Sequence, residues 1–166
     1  MAINENSKGP STSEIIGSTT PHLILYLPHR PNALEELFRR PSAKTLIENN
    51  SNHWRKIVTL LAKIGSPEIN DWRRFRDEAL FDQCAICFSA SLADSKTEAW
   101  HWIGGKENLQ RFNIDGLHTE PLQETSEVSI DIERRIFLTP YPDYRQLNNA
   151  TVTKIRAALA SEGFYG

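Results

Sequence analysis

Four short apolar runs, each followed by a polar turn and then by residues spaced for a helix, constrain this chain more than any other feature. They are His22 to Leu27, Cys84 to Phe88, Ala99 to Ile103 and Ile136 to Leu138. Each is too short for a buried helix, and apolarity at consecutive positions is the pattern of a strand covered on both faces. The sequence therefore predicts an α/β three-layer sandwich: a four-stranded, mostly parallel sheet with helices on both faces. Sheets of this kind build their sites from the turns that leave the carboxyl ends of the strands. Here those exits are Pro28 to Asn32, Ser89 to Ser91, Gly104 to Asn108, and Thr139 to Arg145.

The connections are helical. Asn32 with Glu35 has capping-box spacing, and Leu34, Leu37 and Phe38 form a stripe before Pro41. A second helix is expected from Ser42 to Glu48. A third runs from Asn52 to Gly65, with Trp54, Ile57, Val58, Leu61 and Ile64 on one face. After Pro67, Trp72, Phe75 and Ala79 mark another, so the first crossover is far longer than a minimal strand-helix-strand unit. A short helix is expected from Glu107 to Phe112. The last starts near Asn149 and buries Val152, Ile155 and Leu159, with Gly163 at its end. Residues Asn113 to Glu133 have mixed polarity and read as a loop with room for short elements. Met1 to Thr20, rich in Ser, Thr and Asn, read as a flexible tail, which leaves 21–166 as a single α/β domain.

Composition excludes several roles. With 39% hydrophobic residues, 166 residues suffice for one core and not comfortably for two. A net charge of −2 creates no global field for nucleic acid or an acidic membrane. Arg39, Arg40, Arg55, Lys56, Arg73, Arg74 and Arg76 are interleaved with apolar residues at helical spacing, which favours solvated helix faces over a phosphate track. No run approaches the roughly 20 apolar residues needed to cross a bilayer, and no secretion signal is present, so a soluble, cytoplasmic protein is expected. Cys84 and Cys87 are three apart on a strand and should face opposite ways, as free thiols. His22, His53 and His118 are scattered, without the spacing of a metal site, and His101 between Trp100 and Trp102 reads as core lining. No metal and no cofactor is expected.

The exits hold the groups suited to binding. Gly104, Gly105 and Lys106 between a strand and a helix suit an anion, or a tight turn with a solvent lysine. His29 and Arg30 lie between two prolines that restrict the turn. Arg30 can grip phosphate or carboxylate, or pair with an acid such as Asp143. Thr139 opens a turn in which Tyr141 and Tyr144 offer stacking surfaces, or packing lids, beside Asp143 and Arg145. Ser89 ends the second strand without the surround of a hydrolase nucleophile.

With these exits in order, the chain from about Leu23 to Phe164 resembles the uracil-DNA glycosylase superfamily. That resemblance implies a four-stranded parallel sheet, a long helical insertion between its first two strands and a site at the strand ends. Pro28-His29-Arg30-Pro31 stands where the family has its water-activating acid turn, with Arg30 in the acid's place. Ile103-Gly104-Gly105-Lys106-Glu107-Asn108-Leu109 resembles its third exit. Thr139-Pro140-Tyr141-Pro142 keeps both prolines of the last motif without its histidine, and Ser89 stands where some members read the base edge. The resemblance implies a domain, related to DNA repair enzymes, that binds a nucleobase, nucleotide or DNA. Its ligand contacts would come from Arg30, Asn32, Ser89, Gly104, Gly105, Lys106, Thr139, Tyr141, Tyr144 and Arg145. Any catalysis would fall to His29, Asp143 or Glu107. Two other readings stand beside it: a catalytically silent scaffold or partner-binding protein of the same fold, and a small nucleotide-processing enzyme.

Overall fold

The computed structural model describes residues 14–93, 99–122 and 127–166. In chain order the elements are β1 (Ile15–Gly17), β2 (Leu23–Tyr26), α1 (Leu34–Arg39), α2 (Ala43–Asn49), α3 (Asn52–Gly65), a 3-10 turn (Ile69–Asp71), α4 (Trp72–Glu78) and α5 (Leu80–Gln83). They continue with β3 (Cys84–Cys87), β4 (Trp100–Gly104), α6 (Lys106–Gln110), β5 (Glu120–Pro121), β6 (Ser129–Asp131), β7 (Ile136–Thr139) and α7 (Asn149–Ser161).

One mixed sheet joins all the strands in the order β1-β3-β2-β4-β7-β6-β5. The four apolar runs form its parallel centre, with Leu23 level with Cys84 on one side and Trp100 on the other, and His101 level with Ile136. A sheet of four strands is thus corrected to seven among the described residues. The three additions are antiparallel. Two come from the segment read as a loop. The third, β1, lies within the expected tail: Ile16 is 2% exposed and pairs with Ile86. Residues 1–13 of that tail lie outside the described residues. These short strands cap both edges of the parallel centre, which would otherwise present unpaired backbone groups.

Alternation along the strands sends successive side chains to opposite faces. Leu23, Leu25, Trp100, Trp102 and Phe137 face a large core built with α1 to α5 and α7. Ile24, Tyr26, Ala85, Ile103 and Ile136 face a smaller one, covered by Leu109 of α6 and by Phe112, Ile114 and Leu117 of the following loop. Among the described residues, helices lie on both faces, six on one and one on the other. All four side chains of β2 are fully buried, each worth roughly 1.5–3 kcal/mol for a large aliphatic group. Cys84 belongs to the larger core and Cys87 to the smaller, and burial raises their thiols to about 12 and about 11.

Among the described residues, side chains cap the starts of α2 and α7, and the capping expected before α1 is absent. Ser42 Oγ accepts the Thr45 N–H at 3.0 Å and Asn148 Oδ1 accepts the Thr151 N–H at 2.9 Å, satisfying first-turn donors. The expected capping box at Asn32 does not form. Ala33, at φ 64°, precedes α1, while the Asn32 N–H donates to Asn50 Oδ1 at 2.7 Å and its amide to the Asn49 carbonyl at 3.1 Å. Asn32 therefore ties the approach to α1 to the end of α2. Among the described residues, no helix is long and apolar enough to cross a membrane.

Candidate functional site

A cleft of about 860 Å³ opens at the carboxyl ends of the parallel strands. Pro28 reaches it from β2, Gly104 to Glu107 from β4, and Thr139 to Tyr141 with Arg145 from β7. Three of the four exits meet there. The fourth does not: β3 is separated from β7 by two strands, and Ser89 at its end accepts the Ser91 N–H at 3.1 Å.

The wall of the cleft is fixed by close packing and internal hydrogen bonds. A Cβ on Gly104 would lie 2.9 Å from Pro142 Cδ, so only glycine lets the two turns approach this closely. Gly105, at φ 99°, donates its N–H to the Thr139 carbonyl at 2.9 Å. That N–H is consequently not directed at an anion, and α6 is only a single short turn, so the charge at this exit comes from the exposed Lys106 side chain. The Thr139 hydroxyl accepts from Trp102 Nε1 at 2.8 Å and donates to the Pro140 carbonyl at 2.6 Å, which makes it a brace. Asn108, buried on α6, donates to the carbonyls of Tyr26 and Gly104. Glu107 stands exposed on the cleft.

Behind Tyr141 lies a group of rings. The Tyr141 hydroxyl is 2.9 Å from His29 Nε2 and 2.8 Å from His53 Nε2. The ring centroids of His53 and Tyr141 are 5.0 Å apart and nearly parallel, and Trp54 meets His29 edge-on at 5.3 Å. A phenol has one proton to donate, so with both imidazoles neutral one Nε2 accepts while the other donates. Burial, and then the neighbouring His53, lower the pKa of His29; burial raises that of Tyr141. A proton-sharing set with one member on the cleft wall can both donate and accept a hydrogen bond. His53 was missed because nothing in its local spacing marks it. The only available signal was its place in the first turn of a crossover helix. That helix runs against the strands: its other end, Gly65, packs on Cys84 and Leu23 at the strand starts.

Asp143 and its neighbours turn away from this group. The Asp143 carboxylate accepts the Arg145 N–H at 2.9 Å and lies 3.6 Å from Lys56 Nζ and 3.4 Å from Arg145 Nε. The Arg145 N–H, followed by the Lys56 and Arg145 charges, lowers its pKa against the opposing effect of burial. A carboxylate so engaged is a poor proton acceptor. Tyr144 lies outside the cleft, 39% exposed, beside Lys56 and Lys63. Arg30 pairs with Glu14 and lies over the Phe88 ring, not with Asp143. Of the expected residues the structure thus gathers Gly104, Gly105, Lys106, Glu107, Thr139, Tyr141 and Arg145 on one cleft with His29 behind it, and leaves Arg30, Asn32, Ser89, Asp143 and Tyr144 off its lining.

A second cavity, of about 610 Å³, opens at the opposite ends of the strands beside His22, Trp100 and Tyr165, and none of the expected site residues lines it. A comparison with family models matches residues 14–160 to a family of unknown function, DUF6942, to which the chain belongs. No curated protein and no solved structure matches.

Proposed function

We propose that this member of DUF6942 is a glycosylase-like domain that binds a nucleotide, free or within DNA, in the cleft at the strand exits. The observation that carries the reading is the convergence of three exits on one cleft holding a flat ring, Tyr141, and two exposed cations, Lys106 and Arg145. A base stacks on an aromatic face and a phosphate takes the cations. The parallel four-stranded centre and the long helical crossover of the superfamily that the sequence resembles support it as well. For a reaction, Glu107 and Glu127 are the carboxylates lining the cleft, and Tyr141 supplies the hydroxyl linked to two imidazoles. A second reading, a catalytically silent scaffold, is favoured by the internal engagement of Asp143, Thr139 and the Gly105 N–H.

Calorimetric titration with thymidine 5′-monophosphate separates the two. Saturable binding is expected, at least tenfold weaker in a Lys106→Ala, Arg145→Ala double variant, a loss of about 1.4 kcal/mol or more. A parent protein that takes up no mononucleotide would leave the scaffold reading standing.

A further inference from the structure

Beyond the cleft, cations gather around two aromatic rings on the outer side of α3, the half-buried Trp72 and the exposed Tyr144. Lys63 Nζ, Arg73 Cζ and Arg76 Cζ lie 5.0, 4.8 and 5.4 Å from the centroid of the Trp72 ring. Lys63 also lies 5.7 Å from the centroid of Tyr144, which has Lys56 at 5.8 Å. Aromatic and basic groups thus alternate without a break from the turn bearing Arg145, on the cleft, to the start of α4.

One cation over an indole is favourable, but three around one ring repel each other. The acids nearby do not relieve this fully. Asp77 pairs with Arg76, Glu78 with Arg74, and Asp143 with Lys56 and Arg145. Lys63 reaches only the Asn149 side-chain oxygen, at 3.1 Å, and neither it nor Arg73 has an acid partner among the described residues. Consistent with this, burial and then the Arg73 charge lower the pKa of Lys63. An external anion would remove the repulsion.

We infer that the Lys56–Tyr144–Lys63–Trp72–Arg73 strip is a track for the backbone and bases of a single nucleic-acid strand leading to the cleft. The inference rests on the cleft reading for its direction and deepens it, from a mononucleotide to a polynucleotide. Lys56 and Lys63 alone are separated by about 10 Å along the helix axis. Phosphates lie about 3.4 Å apart along a duplex strand and farther apart along an extended single strand, so that length spans at most about three of them. The two rings and the Arg73 guanidinium plane supply stacking surfaces that a simple polyanion would not use.

The experiment is fluorescence anisotropy with a labelled short oligodeoxythymidylate at two salt concentrations, beside calorimetry with thymidine 5′-monophosphate. The proteins compared are the parent, Lys63→Glu with Arg73→Glu, and Lys63→Gln with Arg73→Gln, whose neutral replacements guard against misfolding. Both strip variants are expected to bind the oligonucleotide at least tenfold more weakly. Loss of two contacts should also make the slope of log affinity against log salt shallower by about 1.4, with mononucleotide binding unchanged. An oligonucleotide bound equally by all three proteins, or by none, overturns the track. So does equal affinity of the parent for heparin, which carries charge without bases. Mononucleotide binding with no strip dependence sinks this inference alone. Strip-dependent oligonucleotide binding without mononucleotide binding sinks the cleft reading instead.

Discussion

At the scale of single residues, the cleft depends on an absence. Gly104 ends β4 with its α-carbon against Pro142, and Gly104→Ala would place a methyl group 2.9 Å from the proline ring. Both partners are held by backbone, so neither yields cheaply. Thermal unfolding should show a loss of about 1–3 kcal/mol, and mononucleotide binding should weaken because the Pro140–Tyr141 turn moves with Pro142. Tyr141 and His29 were visible in the sequence as residues of Pro-bounded turns. Arg30 was visible for the same reason, yet its guanidinium pairs with Glu14, from a segment read as tail. Which acid a surface arginine meets depends on neighbours remote in sequence, and local spacing carries no record of them.

At the scale of elements, the helices with a clear apolar stripe, such as α3 and α7, lie where their periodicity places them. Ser42 before α2 and Asn148 before α7 cap through their side-chain oxygens. Ser42→Ala should cost about 1 kcal/mol, measured by chemical denaturation, because the Thr45 N–H loses its acceptor. Asn32 failed as a cap although its spacing to Glu35 was right. Tertiary contacts took both groups a capping box would use: the Asn32 side-chain amide donates to the Asn49 carbonyl and its backbone N–H to Asn50 Oδ1. Arg156 of α7 shows a related effect, donating to the carbonyls of Lys63, Ile64 and Ser66 at the end of α3. That end has a cap supplied by another helix, which no reading of α3 alone would find.

For the molecule as a whole, acid stability should reflect the centre of the sheet. The Tyr26 hydroxyl accepts the Ala93 N–H at 2.9 Å and lies 2.7 Å from His101 Nδ1, a largely buried pair with no acid beside it among the described residues to favour the imidazolium. Burial lowers the His101 pKa to about 4, from an ordinary 6.5. The unfolded chain therefore binds a proton that the folded chain refuses. The stability is complete above pH 6.5 and is lost as the pH falls toward about 4, by on the order of 3 kcal/mol. His29, also lowered, acts in the same direction. Denaturation followed at pH 7 and pH 4.5 should show this loss, and His101→Gln should diminish it. Equal pH dependence in that variant would remove His101 as the cause.

The sequence by itself determined the parallel centre, because β2, β3, β4 and β7 are short segments buried on both faces and only continuous apolarity satisfies that. Three of the exits it named line one cleft. What the tertiary structure alone decided was strand order, edge strands and partners. Three-residue strands such as β1 and β6 draw stability from pairing with neighbours already in place. The order of the sheet brings the exits of β2, β4 and β7 together and leaves that of β3 aside. His53 joins His29 and Tyr141 because α3 runs back against the strands. Proximity between distant segments comes from the packing of whole faces, a sum over many side chains that no single stretch of sequence contains.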